Sequence, residues 1–266
     1  MPMGMIVVVV VPMMTVVMMV VEVHRWLYEN NRFRDEPFAL MNIPFLPAVK
    51  ASMTSLPIRR FSREEILEMD RFFRTTFMNS LSGFKSVNLV GTTSSSGVHN
   101  LAIFNSIVHI GANPPFLGMV VRPHTVPRDT LENILATQHF TLNHIHRDIY
   151  PQAHQTAARY PADTSEFEAV GLTALETDFP APYVAEARLR IGMKFEERHD
   201  IMNGTILVVG SVQEVLLPDS VVGEEGYVDL SELGSLTVAG LDAYHETKLV
   251  DRLAYAKPDK APKSIL

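Results

Sequence analysis

The sequence predicts a mainly β fold with a few helices, built on a closed or sandwiched antiparallel sheet, with a barrel as the preferred form. Three observations carry this. Short apolar runs recur between residues 86 and 230, turn-forming clusters separate them, and few stretches in between have helical spacing.

The elements follow in order. Ser62 followed by Glu65 is the pattern of a capping box, and the stretch from there to about Asn79 has helical spacing. Its apolar positions Ile66, Leu67, Met69, Phe72 and Phe73 are expected to face a core. From Ser86 to Thr92 the chain alternates with period two, as a half-buried strand does. Thr93 to Gly97 is a turn, and Val98 to Ile110 reads as the returning strand. Asn113-Pro114-Pro115 breaks the chain, and Phe116 to Val121 is a further short strand. A helix over about Asp129 to Ala136 precedes a strand at Phe140 to Ile145. Further strands are expected near 184–195, 204–216 and 226–230, with Asn203-Gly204 as a tight hairpin turn.

The first 60 residues have a different texture. Met5 to Val21 is apolar apart from Thr15, rich in Val and Met, and interrupted by Pro12. The run is at the short limit for a membrane span and lacks the basic segment of a signal peptide. Three readings stand side by side. It is a non-native or wrongly started extension, with Met41 or Met53 as the true start; or a membrane anchor stopped by Arg25 and the charges after it; or a buried or swapped strand, since Val runs favour β structure. Pro37, Pro44, Pro47 and Pro57 make the rest a linker or irregular arm. The expected organisation is an extension over 1–60 and one domain over 61–266.

Composition narrows the function. The net charge is -7, with acids and bases interspersed and no basic patch, which argues against nucleic acid as a partner. There is no cysteine, so disulfides, thiolate nucleophiles and cysteine-ligated metal clusters are excluded. Any redox role has to come from an organic cofactor or from a His/carboxylate metal site. His144 and His146 share a strand face, but a metal would need His139 or His154 as a third ligand, and ordinary histidines are the reading adopted. No Gly-x-Ser-x-Gly elbow is present. Asn203-Gly204-Thr205 matches a glycosylation sequon but reads as a turn, and Lys257 to Lys263 is a polar tail.

Two segments point to chemistry. In Arg122 to Ile134, Asp129 and Glu132 have the spacing of an N-cap and its N3 partner, so a helix starts there with free N–H groups that favour an anion. Arg122, Arg128 and Thr130 add two guanidinium groups and a hydroxyl at that end, a seat suited to a phosphate. A capped surface helix with two solvated arginines is the plainer alternative. In Asn100 to Ser106, small and amide side chains interrupt an apolar strand, with Asn100, Ala102 and Ser106 on one face and Asn105 on the other. That face suits a flat ring with a polar edge; a strand with one solvated face is the alternative.

The order of several motifs resembles the flavin reductase-like proteins, flavoredoxin among them. The residues concerned are Gly91-Thr92, Gly97, Asn100-Leu101-Ala102, Ser106, Asn113-Pro114-Pro115, Arg128-Asp129-Thr130, Asn133-Ile134 and Asn143. Ser165-Glu166-Phe167, Gly171-Leu172-Thr173, Asn203-Gly204, Gly240 to Tyr244 and Tyr255 to Pro258 continue the match, which covers roughly residues 70 to 260.

The resemblance implies an FMN-binding split β-barrel of Greek-key type with peripheral helices, a homodimer, and FMN held non-covalently near the subunit interface. It implies that Ser106, Arg128 and Thr130 hold the phosphate and that Asn100, Leu101 and Ala102 line the isoalloxazine, partly through backbone groups. Thr92 is counted with the cofactor-binding residues, as is Arg122 from its place beside the phosphate seat. Asn143 and the His154-Gln155-Thr156 stretch would approach the ring or ribityl chain, with Asp129 left as a helix cap. The family often has Ser where Asn105 stands, so a phosphate or ribityl contact differs there. The implied activity is passage of a hydride from transient NADH or NADPH to the flavin, with His154 as the donor to the reduced ring's N1 and O2 edge. No Gly-x-Gly-x-x-Gly fingerprint is present, so no separate Rossmann domain is expected. A flavoredoxin-type electron carrier without nicotinamide activity is the alternative, and a barrel that has lost its cofactor the third. The expected partners are a second copy and a redox protein or oxygenase component. The expected location is the cytoplasm, with a membrane involved only if residues 5–21 are a native anchor.

Overall fold

The computed structural model describes residues 57–123, 129–161, 163–258 and 260–266. The Val/Met run and the arm that follows it to residue 56 lie outside the described residues. Phe61–Leu266 form a compact unit of their own. Among the described residues no helix is long and apolar enough to cross a membrane.

The unit opens with two helices where the spacing predicts one. Ser62 caps α1 (Arg63–Glu68), with its hydroxyl accepting from the Glu65 N–H and the Glu65 carboxylate accepting from the Ser62 N–H, so the expected capping box is present. Asp70 then accepts from the N–H groups of Phe72 and Phe73 and starts α2 (Arg71–Leu81). The core-facing expectation fails here. Neither helix has a buried residue; Leu67, Phe72 and Phe73 are 54%, 77% and 57% exposed. The aromatic rings meet each other instead, Phe77 standing 5.1 Å from Phe61 and 6.2 Å from Phe73.

After β1 (Lys85–Ser86), strand β2 (Asn88–Thr93) is buried along nearly all its length. The turn at 94–97 uses Gly97 at φ +88°, a left-handed conformation that suits glycine. It returns the chain as β3 (His99–Phe104), paired antiparallel with β2 from Thr93–His99 to Asn88–Phe104. The strand expected over 98–110 is broken at Asn105-Ser106, and β4 (Ile107–Ala112) pairs elsewhere, with β5 (Pro115–Val121). Apolar residues flank the break on both sides, so the sequence pattern alone does not show that the chain changes neighbours.

Next come α3 (Asp129–Thr137), β6 (His139–His144), α4 (Tyr150–Gln155) and α5 (Glu166–Val170). The short pair β7 (Ala174–Leu175) and β8 (Tyr183–Val184) precedes the long hairpin of β9 (Arg190–Asp200) and β10 (Ile206–Leu216). That hairpin turns at Asn203-Gly204 as expected, with Gly204 at φ +81°. No strand forms over 226–230; Val228 makes only an isolated bridge to Val222. The pairing lies later, where β11 (Leu236–Ala239) and β12 (Ala243–Glu246) join β1 in a three-stranded sheet.

The main sheet has seven strands in the order β3-β2-β6-β9-β10-β5-β4, every pair antiparallel. Its two outermost strands, β3 and β4, are consecutive in the chain and are joined by only Asn105 and Ser106. A two-residue link between opposite ends requires the sheet to curl, while its hydrogen-bond ladder stays open at that point. This is a split β-barrel, as expected.

One core is built from Val90, Leu142, Met119, Val121, Phe140, Met193 and Val208 of the sheet, with Leu131 and Ile134 of α3 packed against them. A second lies on the other side of β2 and β3, where Leu89 and Leu101 meet Ile145, Ile149, Ala153, Phe167 and Val238. Burial of each of these large side chains is worth about 1.5–3 kcal/mol. Gly91 and Gly192 are close-approach positions. A Cβ on Gly91 would press into the Pro182 carbonyl and stand 2.6 Å from Thr141 Oγ1, and one on Gly192 would stand 2.5 Å from the Tyr183 hydroxyl.

Candidate functional site

A cavity of about 1060 Å³ opens where β3 passes the start of α3. Asn100, Ala102 and Phe104 of β3 line it together with Asn105 and Ser106 of the link. Arg122, just past β5, and Asp129, Thr130 and Leu131 of α3 form the adjoining wall. Residues from α4 onward, His154 and Thr156 to Tyr160, add a third side, with Glu166 at the start of α5. Val238, Leu241, Asp242 and Tyr244 of the β11–β12 hairpin complete it. The volume is at the upper end of the range for pockets that take a small ligand or cofactor.

The polar groups are held in place by one another. Asn100 Nδ2 donates to Thr92 Oγ1 at 3.2 Å and to Thr130 Oγ1 at 3.1 Å, and Asn133 Nδ2 donates to the same Thr92 oxygen at 3.1 Å. All four residues are buried, so these bonds exchange no partner with water and fix β3 relative to the first turn of α3. Asn105 Nδ2 donates to the Gly240 carbonyl at 3.2 Å, and Lys85 Nζ donates to the same carbonyl at 2.8 Å. The link and the β11–β12 turn are thereby tied. Ser106 donates to Asn105 Oδ1 at 3.3 Å.

On the third side, His154 Nδ1 stands 2.9 Å from the Tyr244 hydroxyl, with the two rings edge to face and Tyr150 5.4 Å from Tyr244. Burial pushes the Tyr244 hydroxyl up to about 12, and Asp242 adds to the shift. Tyr244 therefore stays protonated at neutral pH, while exposed His154 is open to solvent. Glu166 is 9% exposed and accepts from the Leu101 N–H at 2.9 Å. Burial raises its carboxyl above the ordinary carboxylate range and Asp129 adds to this, while bonds from the Leu101 N–H and its own N–H oppose it.

The sequence-predicted residues divide into three groups. Asn100, Ala102, Asn105, Ser106, Arg122, Thr130, His154 and Thr156 line the cavity, and Thr92 stands behind Asn100 and Asn133. Leu101, Asn143 and Gln155 are not in its wall. The Leu101 side chain is in the core and its N–H is taken by Glu166. Asn143 is fully buried: Nδ2 donates to Leu89 O and Thr141 Oγ1, and Oδ1 accepts from the Val184 N–H. Gln155 is exposed and donates to the Tyr160 hydroxyl at 3.3 Å. Arg128, with the rest of 124–128, lies outside the described residues. The helix predicted beside it does begin here, but with Asp129 as its first helical residue and not as its N-cap.

Sequence reasoning gave no role to Glu166, Arg159, Tyr160, Asp242 or Tyr244. Glu166, Asp242 and Tyr244 fall in stretches that carried the resemblance, and nothing in their spacing links them to residues 100–130.

A family model described as the flavin reductase like domain matches residues 81–252. The crystal structure of a Shewanella frigidimarina NCIMB 400 protein, assigned as a flavin reductase with split barrel domain, is 45% identical. It superposes with a TM-score of 0.72 over 75% of this chain and 100% of that one. Nitrilotriacetate monooxygenase component B from Bacillus cereus is 20% identical, with a TM-score of 0.66 over 75% of this chain and 100% of that one. Flavoredoxin of Desulfovibrio vulgaris (Miyazaki F) is 21% identical, with a TM-score of 0.55 over 67% of this chain and 93% of that one. The last two likenesses concern the fold.

Proposed function

Because the chain belongs to the flavin reductase like domain family and so stands among the flavin-related oxidoreductases, we propose that it binds FMN non-covalently in the cavity at β3 and α3 and reduces it with NADH or NADPH. The observation that carries this is the meeting of two features in one cavity. A strand face of amide, hydroxyl and small side chains, Asn100, Ala102 and Ser106, adjoins the N-terminal turn of a nine-residue helix at Thr130, with Arg122 beside it.

The residues present fit such a group. Ala102 leaves room for a flat ring to lie on the strand, and the buried amide and hydroxyl groups give its polar edge partners already fixed in position. The helix N-terminus and Arg122 favour the phosphate, and Ser106, Thr130 and Arg128 are the further residues assigned to it. Bound flavin supplies the chemistry, acceptance of a hydride from a reduced nicotinamide. The chain's part is to orient the ring and to hold donors at its edge. His154, kept in place by Tyr244, is the residue assigned to donate there.

A second copy of the chain is part of the reading. What supports it is the exposure of the large apolar side chains Leu67, Phe72, Phe73, Leu81 and Phe84 in one short stretch of chain. A redox protein or an oxygenase component is the downstream partner proposed.

The test is a visible absorption spectrum of the protein after incubation with FMN and desalting, then after adding NADH or NADPH without oxygen. Retained colour that bleaches supports the reductase. Colour that persists moves the assignment to an electron carrier of the flavoredoxin type, and no retained colour overturns the flavin site.

A further inference from the structure

We propose that Glu166 couples anion binding in the cavity to proton uptake: it holds the Leu101 backbone in either protonation state and gives up its charge when a phosphorylated ligand enters. The inference rests on the reading of the cavity as an FMN site.

The geometry is specific. Glu166 is the first residue of α5, and α5 packs on β3 and α4. Its Oε2 accepts from the Leu101 N–H at 2.9 Å, between Asn100 and Ala102, two of the β3 side chains on the cavity wall. Glu166 is nearly buried, lines the same cavity, and takes part in no ion pair among the described residues. A carboxylate in such a place is charged at a cost that burial sets and that Asp129, the neighbouring carboxylate of α3, increases. Bringing a further negative charge into the cavity adds to that cost. A proton removes it without loss of the backbone bond, because the carbonyl oxygen of a neutral acid still accepts from Leu101. The protonated acid also gains one O–H donor.

Other titratable groups surround it and set the background. Arg122, Asp129, His154, Arg159, Asp242 and Tyr244 line the cavity, His99 is on β3, and Glu168 is on α5. Their contributions, and the ionisation of the phosphate itself, are common to wild type and a Glu166 variant. The informative quantity is therefore a ratio between the two.

The experiment is FMN titration of wild type and Glu166→Gln, followed by flavin fluorescence, from pH 5 to pH 8. Gln keeps an oxygen for Leu101 and carries no charge. The ratio of wild-type Kd to variant Kd is expected to rise with pH by roughly tenfold, the effect of removing one like charge about 12 Å away at an effective dielectric near 20. It is expected to fall toward one in acid. A ratio that does not change with pH while both proteins bind FMN overturns the role of Glu166. Failure of wild type to bind FMN at any pH overturns the flavin site instead, and the two failures are distinguishable. If Glu166→Gln does not fold, calorimetry of wild type at pH 7 in two buffers of different ionisation enthalpy decides. Net proton uptake on FMN binding supports the proposal, and zero uptake or release overturns it.

Discussion

Asn100 donates from its amide nitrogen to the Thr130 hydroxyl oxygen across 3.1 Å, and this bond ties the start of the sheet's edge strand to the first turn of the helix beside it. With Thr92 as its second acceptor, Asn100 sets the angle between the two walls on which the cavity depends. Asn100→Ala is expected to lower the unfolding free energy by about 1–3 kcal/mol, and to weaken FMN binding as well. Urea unfolding beside an FMN titration checks both, and an unchanged unfolding curve would show that the bond carries no weight.

Asn143 behaves differently in this structure. Its amide joins Leu89, Thr141 and Val184 inside the core, so it staples β6 to β2 and β8. Asn143→Ala leaves the Val184 N–H buried without its acceptor and is expected to cost about 1–3 kcal/mol of stability. FMN affinity of the folded protein should stay at the wild-type value. A binding loss larger than the stability loss would place Asn143 at the ligand after all.

Gly91→Ala tests the tight passage of β2 beneath the β8 segment. The added methyl meets the Pro182 carbonyl and Thr141 Oγ1, both of which are already bonded to each other. Overpacking of this kind is expected to destabilise by roughly 1–3 kcal/mol. Thermal unfolding followed by circular dichroism reads the effect.

Arg128 is assigned to the phosphate from the sequence. Arg128→Ala is expected to weaken FMN binding by about 1.5–3 kcal/mol, as loss of a charged hydrogen bond does. Riboflavin, which lacks the phosphate, should bind both proteins equally. Equal FMN affinity in the two proteins removes Arg128 from the site.

His144 makes stability depend on pH. Burial lowers its ring from 6.5 to about 4, and Ser235 bonds to its Nδ1 at 3.0 Å. The folded value lies below the unfolded one, so the unfolded chain binds more protons between the two. The contribution is full above pH 6.5 and is lost as pH falls toward 4. Its slope is at most about 1.4 kcal/mol per pH unit. In His144→Gln the difference from wild type should shrink by that slope across the same window. A constant difference would contradict the assignment.

What the sequence made legible was local. The β2 strand, the Gly97 turn, the Asn203-Gly204 hairpin and the start of α3 at Asp129 all follow from residues within a few positions of one another. Partnering over distance was not legible. Val98 to Ile110 is apolar on both sides of Asn105-Ser106 and reads as one strand, yet that pair sends its halves to opposite ends of the sheet. Phe72 and Phe73 have the spacing of a core face, but spacing cannot say that no element among the described residues buries them. The β3 and α3 sides of the cavity wall were named from residues 100–130 because one strand and one helix start carry them. Glu166 and Tyr244 reach it only through the packing of α5 and the β11–β12 hairpin.

The two-residue link between β3 and β4 has a mechanical consequence. Along the rest of the seven-strand order, neighbouring strands are laced by backbone hydrogen bonds, and pulling them apart means breaking a ladder. Between β3 and β4 there is no lacing, only a covalent tether at one end, so this seam widens or narrows by flexing side chains alone. The cavity meets that seam at its tethered end, where Phe104, Asn105 and Ser106 line it beside Val120 and Val121 of β5. A change of width at this point costs the least backbone structure, because no ladder hydrogen bond has to break for it.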